Sequence, residues 1–493
     1  MKQIVKNFNN LVKKTIFKVQ NKTNNNFKIS IFNKCLITFI ALLFVYLFYL
    51  LTPILYEKNW VKTNIKSKLL NEFKINISTS WDISYSIHPS PHFLIKDSKI
   101  LVAEGTKIKS VAEIKDLKIF LSQKKFFNKE KVDIKKITIN NANFSLLRSD
   151  LKLLNKSISK KFSNKKIKIN NSNIFFKDNL GEIISIIKVD KTTLFFDDKE
   201  LSNVFNLKGE IFNIPFTFDL NNRNDSSKYK EVNFTSKGLQ LNIFNKSNIV
   251  KELTSGVNSI SFLESTINTR YNIKERLIAF KSDNSRLVNS QVSYNGELLI
   301  NPFDLNLNIN LANYKVSKLF NINPILIEFI KSGLLFNDNI SVNTSITVNS
   351  NIKNEIFQNA KINFNIINGK INFNKTKFIN DDVGSLQFNN SNLLYKNNEL
   401  VFNSDILIDI KNSKNLFSFL NTNRLSRKDF KTILINLNYS FLDNKIKFNS
   451  VKIDNYDANS EFLTIIDGFN DNDLNNFNKS RRILNELIKA YAG

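Results

Sequence analysis

The chain has 493 residues, with 71 Lys+Arg against 43 Asp+Glu for a formal net charge of +28, 42% apolar residues and a single cysteine. This supplies apolar material for a large core, and it excludes a disulfide-stapled scaffold, a cysteine-rich metal site and global disorder. Only nine of the basic residues are arginine. With no arginine cluster, zinc-ligand spacing or aromatic RNA-binding motif, the positive excess does not make the chain a nucleic-acid binder.

The first 34 residues hold eight lysines (positions 2, 6, 13, 14, 18, 22, 28 and 34) and no acid. Cys35 to Tyr56, CLITFIALLFVYLFYLLTPILY, then runs without a charge. As a helix, at ~1.5 Å per residue, that run spans roughly 33 Å, against a hydrocarbon core of ~30 Å. It exceeds the ~7–15 apolar residues of a cleaved signal peptide, and no small-x-small site follows it. Cys35 precedes the run, so a lipoprotein signal fails too. The segment reads as an uncleaved signal anchor. The lysines before it place the N-terminus in the cytoplasm and the rest of the chain across the membrane, in a bacterium the periplasm. No other segment approaches 18 uninterrupted apolar residues, which excludes a multi-span transporter.

EKNWVKTNIKSKLLNEF continues as a juxtamembrane helix, with Trp60 at the interface and Leu69, Leu70 and Phe73 as an apolar patch. Beyond Lys74 the period changes to two. VDIKKITIN (132–140), IKIN (167–170), LNLNINL (305–311), ISVNTSITVN (340–349), INFNII (362–367), INFN (371–374), ILIDI (406–410), ILINLNYSF (433–441) and IKFNSVKI (446–453) each alternate apolar with polar residues, as one-faced antiparallel strands do. Asn368-Gly369 predicts a two-residue type I′ hairpin, and Asp443-Asn444 a similar turn. Helices are expected at 150–162, 324–331 and 480–491, and loops at 221–228 and 467–479. The predicted fold class is mainly β, an antiparallel sheet with a few short helices. The chain divides into a basic segment (1–34), a transmembrane anchor (35–56), a juxtamembrane helix (57–74), a β-rich region (75–466) and a loop with a C-terminal amphipathic helix (467–493).

Nothing in this pattern calls for catalysis, a metal or a cofactor. His88 and His92 have the i, i+4 spacing of a helical metal pair, but Pro89 and Pro91 forbid the helix. Cys35 has no histidine partner, and GxSxG, Walker A, GxGxxG and HExxH are absent. Asp197/Asp198 and Asp381/Asp382 sit at strand ends or turns, where acids are ordinary and neighbouring side chains point to opposite faces.

The order of features resembles a family. An N-terminal anchor, a short helix, WDISYSIHPSPHFLIKDSKILV (81–102) and then VAEIKDLKIFLSQKKFFNKEKVDIKKITINNANFSLLRSD (111–150) is similar to the start of the AsmA family of envelope proteins and their TamB-like relatives. The motif is a Pro-Ser-Pro turn followed by an apolar strand with an Asp, here Pro89, Ser90, Pro91 and Asp97; Ser80 or Ser84 stands where that family usually has Gly. The match covers about residues 30–150. The resemblance implies an inner-membrane-anchored periplasmic protein of outer-membrane biogenesis, whose long sheet curls into a groove that holds or conducts phospholipids. The inward residues Leu305, Leu307, Ile309, Leu311, Ile362, Phe364, Ile371 and Phe373 are then the lipid-facing candidates. A sealed sandwich acting as a scaffold or assembly factor for outer-membrane proteins, through its strand edges, is the alternative.

Overall fold

The computed structural model describes residues 30–78, 82–104, 107–150, 160–223, 228–319, 332–350, 356–396, 399–441, 445–467 and 477–492, together with Asn10 and Lys13. The lysine-rich segment before residue 30, most of the expected helix at 150–162, the expected helix at 324–331, the Asp443-Asn444 turn and residues 468–476 lie outside them. Two compact units follow one another, Met1–Ala142 and Asn143–Gly493.

In the first unit, α1 (Ile31–Leu51) is the apolar run, and it buries little of itself: Phe39, Phe44 and Phe48 are each about two-thirds exposed. With the 3₁₀ turn Thr52–Leu55 it makes one helix, Ile31–Leu55, long and apolar enough to cross a membrane. After Tyr56, α2 (Lys58–Phe73) buries Val61, Ile65, Leu69 and Phe73, an i, i+4 stripe. Leu70 lies one step round the helix and is half-exposed, so it does not belong to the patch expected from the sequence. Val61 and Ile65 face Phe93, Leu121 and Val132 across a small void, and Lys68 Nζ donates to the Val132 carbonyl. The end of α1 is tied down by tyrosines. Tyr49 Oη donates to Gln123 O (2.8 Å) and accepts from Phe126 N (3.1 Å), Tyr56 Oη donates to Phe126 O, and Tyr85 Oη donates to Leu50 O (2.6 Å).

Five strands complete this unit: β1 (Asn76–Ser78), β2 (Ile83–Ser86), β3 (His92–Glu104), β4 (Lys107–Leu121) and β5 (Ile134–Leu147), in which the unit ends. Both β1 and β2 pair antiparallel with β3, which pairs with β4 on its other side. Pro89, Ser90 and Pro91 make the β2–β3 turn, with Ser86 opposite His92.

The second unit is a ladder. It begins β6 (Lys166–Lys177), β7 (Ile183–Asp197), β8 (Ser202–Ile211), β9 (Ile214–Arg223), β10 (Lys228–Ser236), β11 (Leu241–Val250), β12 (Leu253–Phe262), β13 (Ser265–Lys274), β14 (Leu277–Leu287), β15 (Ser290–Leu299) and β16 (Phe303–Ala312), each antiparallel to the next. β9 and β10 extend into the stretch expected as a loop at 221–228. β17 (Ile340–Asn349) then lies parallel to β16, a departure from the all-antiparallel expectation. A parallel neighbour requires a crossover of a dozen or more residues, and 313–339 is the stretch that makes the return. Antiparallel pairing resumes through β18 (Asn359–Ile367), β19 (Lys370–Asn372), β20 (Lys377–Asn380), β21 (Gly384–Lys396), β22 (Glu399–Ile410), β23 (Thr432–Ser440), β24 (Lys445–Ile453) and the short β25 (Tyr456–Asp457). Asn368 and Gly369 link β18 to β19 with φ of 49° and 65°, the type I′ geometry expected from their sequence.

A recurring device keeps one face apolar. Asp97, Asn141, Asn171 and Asn390 all take a left-handed φ between 46° and 54°, and each is followed by a small residue at most 2% exposed: Ser98, Ala142, Ser172 and Ser391. In β21 this is a bulge that shifts the register, and in β3 and β6 the pairing skips the residue with the register unchanged. At each site the parity that points inward reverses. In β3 the buried positions change from Phe93 and Ile95 to Ser98; in β5, from Ile137 and Ile139 to Ala142. Asn and Asp suit the position because their short polar side chains tolerate left-handed backbone.

At the C-terminal end, α3 (Ser413–Leu420), α4 (Ser460–Asp467) and α5 (Phe477–Ala492) close over β22–β24. Phe417, Leu420, Phe462, Ile466, Leu487 and Ile488 pack with Ile410, Val451 and Ile453 in one buried cluster. A cavity of about 270 Å³ remains between helices and sheet.

A candidate apolar binding face

The candidate face is built by register. Leu207, Phe218, Phe234, Ile243, Ile260 and Ile267 are successive neighbours across β8–β13. Ile273, Ile278, Leu298, Leu305, Val342, Ile366, Ile371 and Leu393 continue on the same face across β13–β21. The eight residues singled out from the sequence all lie on this face. Leu305 meets Val342, Leu307 meets Thr344, which meets Phe364, and Ile309 meets Ile346, which meets Ile362. Phe364 and Phe373 stack with ring centroids 5.5 Å apart.

Two of the eight are sealed by their own chain. Leu311 packs in a cluster with Val316, Tyr314 and Leu319, and Ile371, fully buried, packs with Leu335 and Phe336. The short turns Val316–Leu319 and Leu334–Phe336 therefore cover this part of the face. The remaining six are half-buried.

Over β8–β14 the face is open. The substantial packing partners of these strands, among the described residues, are their own ladder neighbours. Phe234, Ile243 and Ile267 are only half-buried, and Ile260 is 37% exposed. Beside the first apolar row runs a polar seam that the alternation does not show: Asn245, Asn258, Thr269 and Tyr271. Asn245, Thr269 and Tyr271 are hydrogen-bonded through their side chains. Asn245 Nδ2 donates to Tyr271 Oη (2.9 Å), and the Thr269 and Tyr294 hydroxyls are 2.5 Å apart. Gly256 and Gly296 fit here because a Cβ on either would lie 2.5 and 2.7 Å from the rings of Tyr271 and Phe280, which lie over them.

The opposite face is polar and cationic. Lys246, Arg270 and Lys281 stand in line across β11, β13 and β14, and Lys246 lies 5.2 Å from the Tyr229 ring centre. Burial, then the Glu231 carboxylate that accepts its proton, pushes the Tyr229 hydroxyl up to about 12. Exposed pairs such as Lys99–Glu113 and Lys188–Glu210 contribute little to stability.

The other sequence candidates are structural. His92 is buried, stacked on Phe120 at 5.0 Å, with Nδ1 2.8 Å from the Ser90 carbonyl, while His88 is exposed. That carbonyl has no proton to give, so Nδ1 carries one. Asp97, after the Pro89-Ser90-Pro91 turn, takes the left-handed backbone at which the β3–β4 pairing skips a residue. Asp197 and Asp198 accept hydrogen bonds from Lys199 N and Asn164 Nδ2, and Asp381 accepts from Asn359 Nδ2. Among the described residues no group of three His, Cys, Asp or Glu is placed to hold a metal ion. Compared with protein-family models and with curated proteins, the chain matches none.

Proposed function

We propose that this is an inner-membrane-anchored periplasmic protein of the AsmA type, which takes part in outer-membrane biogenesis by holding or conducting phospholipid acyl chains along its open apolar face. The observation that carries this reading is the half-exposed apolar row over β8–β13 and the second row that continues from β13, with no described element making substantial contact with them over β8–β14. An acyl chain of about 14 methylenes gains ~0.8 kcal/mol for each one buried, about 11 kcal/mol in all. Such a surface keeps a lipid chain out of water. Because Asn245 pairs with Tyr271 and Thr269 with Tyr294, a chain lying across these four side chains leaves their mutual hydrogen bonds in place. The apolar helix Ile31–Leu55 supplies the membrane attachment, and the lysines before it orient the chain.

Scaffolding by strand addition is the less favoured reading. β24, whose outer edge is covered only at Lys452 and Ile453 by the two-residue β25, carries Lys445, Lys447 and Lys452, which discourage edge pairing. The test places photo-crosslinking residues at Phe234, Ile243 and Ile260 in cells and extracts the purified protein with solvent. Phospholipid is expected in both experiments. Its absence from both, with protein crosslinks at β24 instead, would overturn the reading in favour of a scaffold.

A further inference from the structure

We infer that the cavity under the C-terminal helices is a seat for the end of a single acyl chain. The inference deepens the reading above, and rests on it for the route by which a chain arrives. The floor is Ile408, Ile433 and Ile435, and the helices contribute Phe419, Phe462 and Leu487. At about 270 Å³ the space is nearly twice the ~150 Å³ apolar cavity that stays dry and takes up benzene. A slender hydrocarbon chain fits that volume and a protein helix does not. The one charged residue of the lining, Asp409, is an anion and offers nothing to an anionic headgroup, so the occupant enters tail first.

Two observations connect the cavity to the rest of the face. Leu386 and Phe357, partly buried, pack against the cluster of Val292, Leu311, Val316, Val348, Ala360 and Phe378 and also line the cavity. The register row Leu311, Val348, Ala360, Phe378, Leu386, Ile408, Ile433 and Ile453 runs without a polar residue from β16 to β24. The mouth is apolar as well: Leu484 is 44% and Phe419 38% exposed. Beside it Lys428 lies 4.7 Å from the ring of Tyr491, another lining residue, so a cation stands where the head of an anionic amphiphile would remain in water.

The test uses the full chain in nanodiscs and a diazirine analogue of laurate as the probe. Saturable labelling is expected on peptides of β23 and α5, competed by unlabelled laurate and reduced at least fivefold by Ile435→Trp, which fills the cavity. Ile433→Phe adds fewer atoms and serves if the first variant does not fold, which thermal melting checks. Labelling that is unsaturable, or unchanged in a folded filled variant, would overturn the inference. A parallel arm uses a diazirine phosphatidylglycerol in the nanodisc and reads labels around Phe234 and Ile260. Cavity labelling by laurate without face labelling keeps the seat and removes the track. Face labelling without cavity labelling removes the seat and keeps the track.

Discussion

Inserting an alanine between Ser391 and Asn392 tests the claim that the bulge at Asn390 keeps the apolar face in phase. Asn390 takes φ of 46° in β21, donates through Nδ2 to Asp405 Oδ2 (2.7 Å), and precedes Ser391, whose hydroxyl returns to Asn389 O (3.0 Å). With the extra residue, every later residue of the strand turns over. Leu393, 3% exposed in the cluster with Ile366, Ile371 and Leu400, is driven to the polar face, at a cost of about 2–3 kcal/mol. Asn392 takes its place, and an amide without a partner there costs about 1–3 kcal/mol more. The total is about 3–6 kcal/mol. The control Asn390→Gly keeps the residue count and the left-handed backbone, and costs at most about 1 kcal/mol through the lost hydrogen bond. Hydrogen exchange followed by mass spectrometry over Gly384–Lys396 and Glu399–Ile410 reads the difference as protection, for which 3 kcal/mol is more than about a hundredfold. If the insertion loses no more protection than the glycine variant, the strand slides without penalty and the phase argument is wrong.

Gly384→Ala places a Cβ 2.0 Å from the Asp409 carbonyl at a φ of 152°, and should cost at least about 2 kcal/mol, seen as a lower melting temperature and faster exchange at the start of β21. Tyr85→Phe removes the hydrogen bond to Leu50 O, worth about 1 kcal/mol. Burial first, and Tyr56 second, raise the Tyr85 pKa above its ordinary value of about 10. Its contribution is therefore complete below pH ~10 and lost as the pH rises toward the raised value, so melting between pH 8 and 12 should fall less steeply in the variant; identical slopes would exclude Tyr85 from the alkaline transition. Ile260→Asp puts a charge in the open apolar row and should sharply reduce the phospholipid that co-purifies, with little change in melting because Ile260 packs under nothing.

The elements legible in the sequence were those with a pure alternation or a strong local signal. The apolar run at 35–56, the Asn368-Gly369 turn and β17 at 340–349 appear where the pattern puts them. The two-residue turns were hidden, because Lys251, Leu263, Glu275 and Val288 take positive φ with none of the usual Gly or Asn. Closure of the meander by pairing on both sides imposes that conformation against local preference. The bulges were hidden for another reason. NNANF, NNSNI and NNSNL are visible repeats at 140–144, 170–174 and 389–393, but their meaning lies in the change of parity that follows them, which a search for unbroken alternation reads as the end of a strand.

The open face was the least legible region, and its composition explains why. The residues beneath the C-terminal helices, Ile408, Ile410, Ile433, Ile435, Val451 and Ile453, are uniformly aliphatic, because a cover removes water from every group below it and any polar one would need a partner. Over β10–β14 the corresponding positions include Ser247, Gly256, Asn258, Thr269 and Ser282, and no strand between 183 and 299 stood out by alternation. Water still reaches that surface, so polar side chains persist there at small cost, paired to their neighbours where they are close enough. Weak alternation inside a continuous ladder is therefore a physical signature of a sheet face that nothing in its own chain covers. The strong alternation that marked Leu305 to Leu311 and Ile362 to Phe373 pointed toward the part of the face where the chain begins to cover itself, upstream of which the open stretch lies.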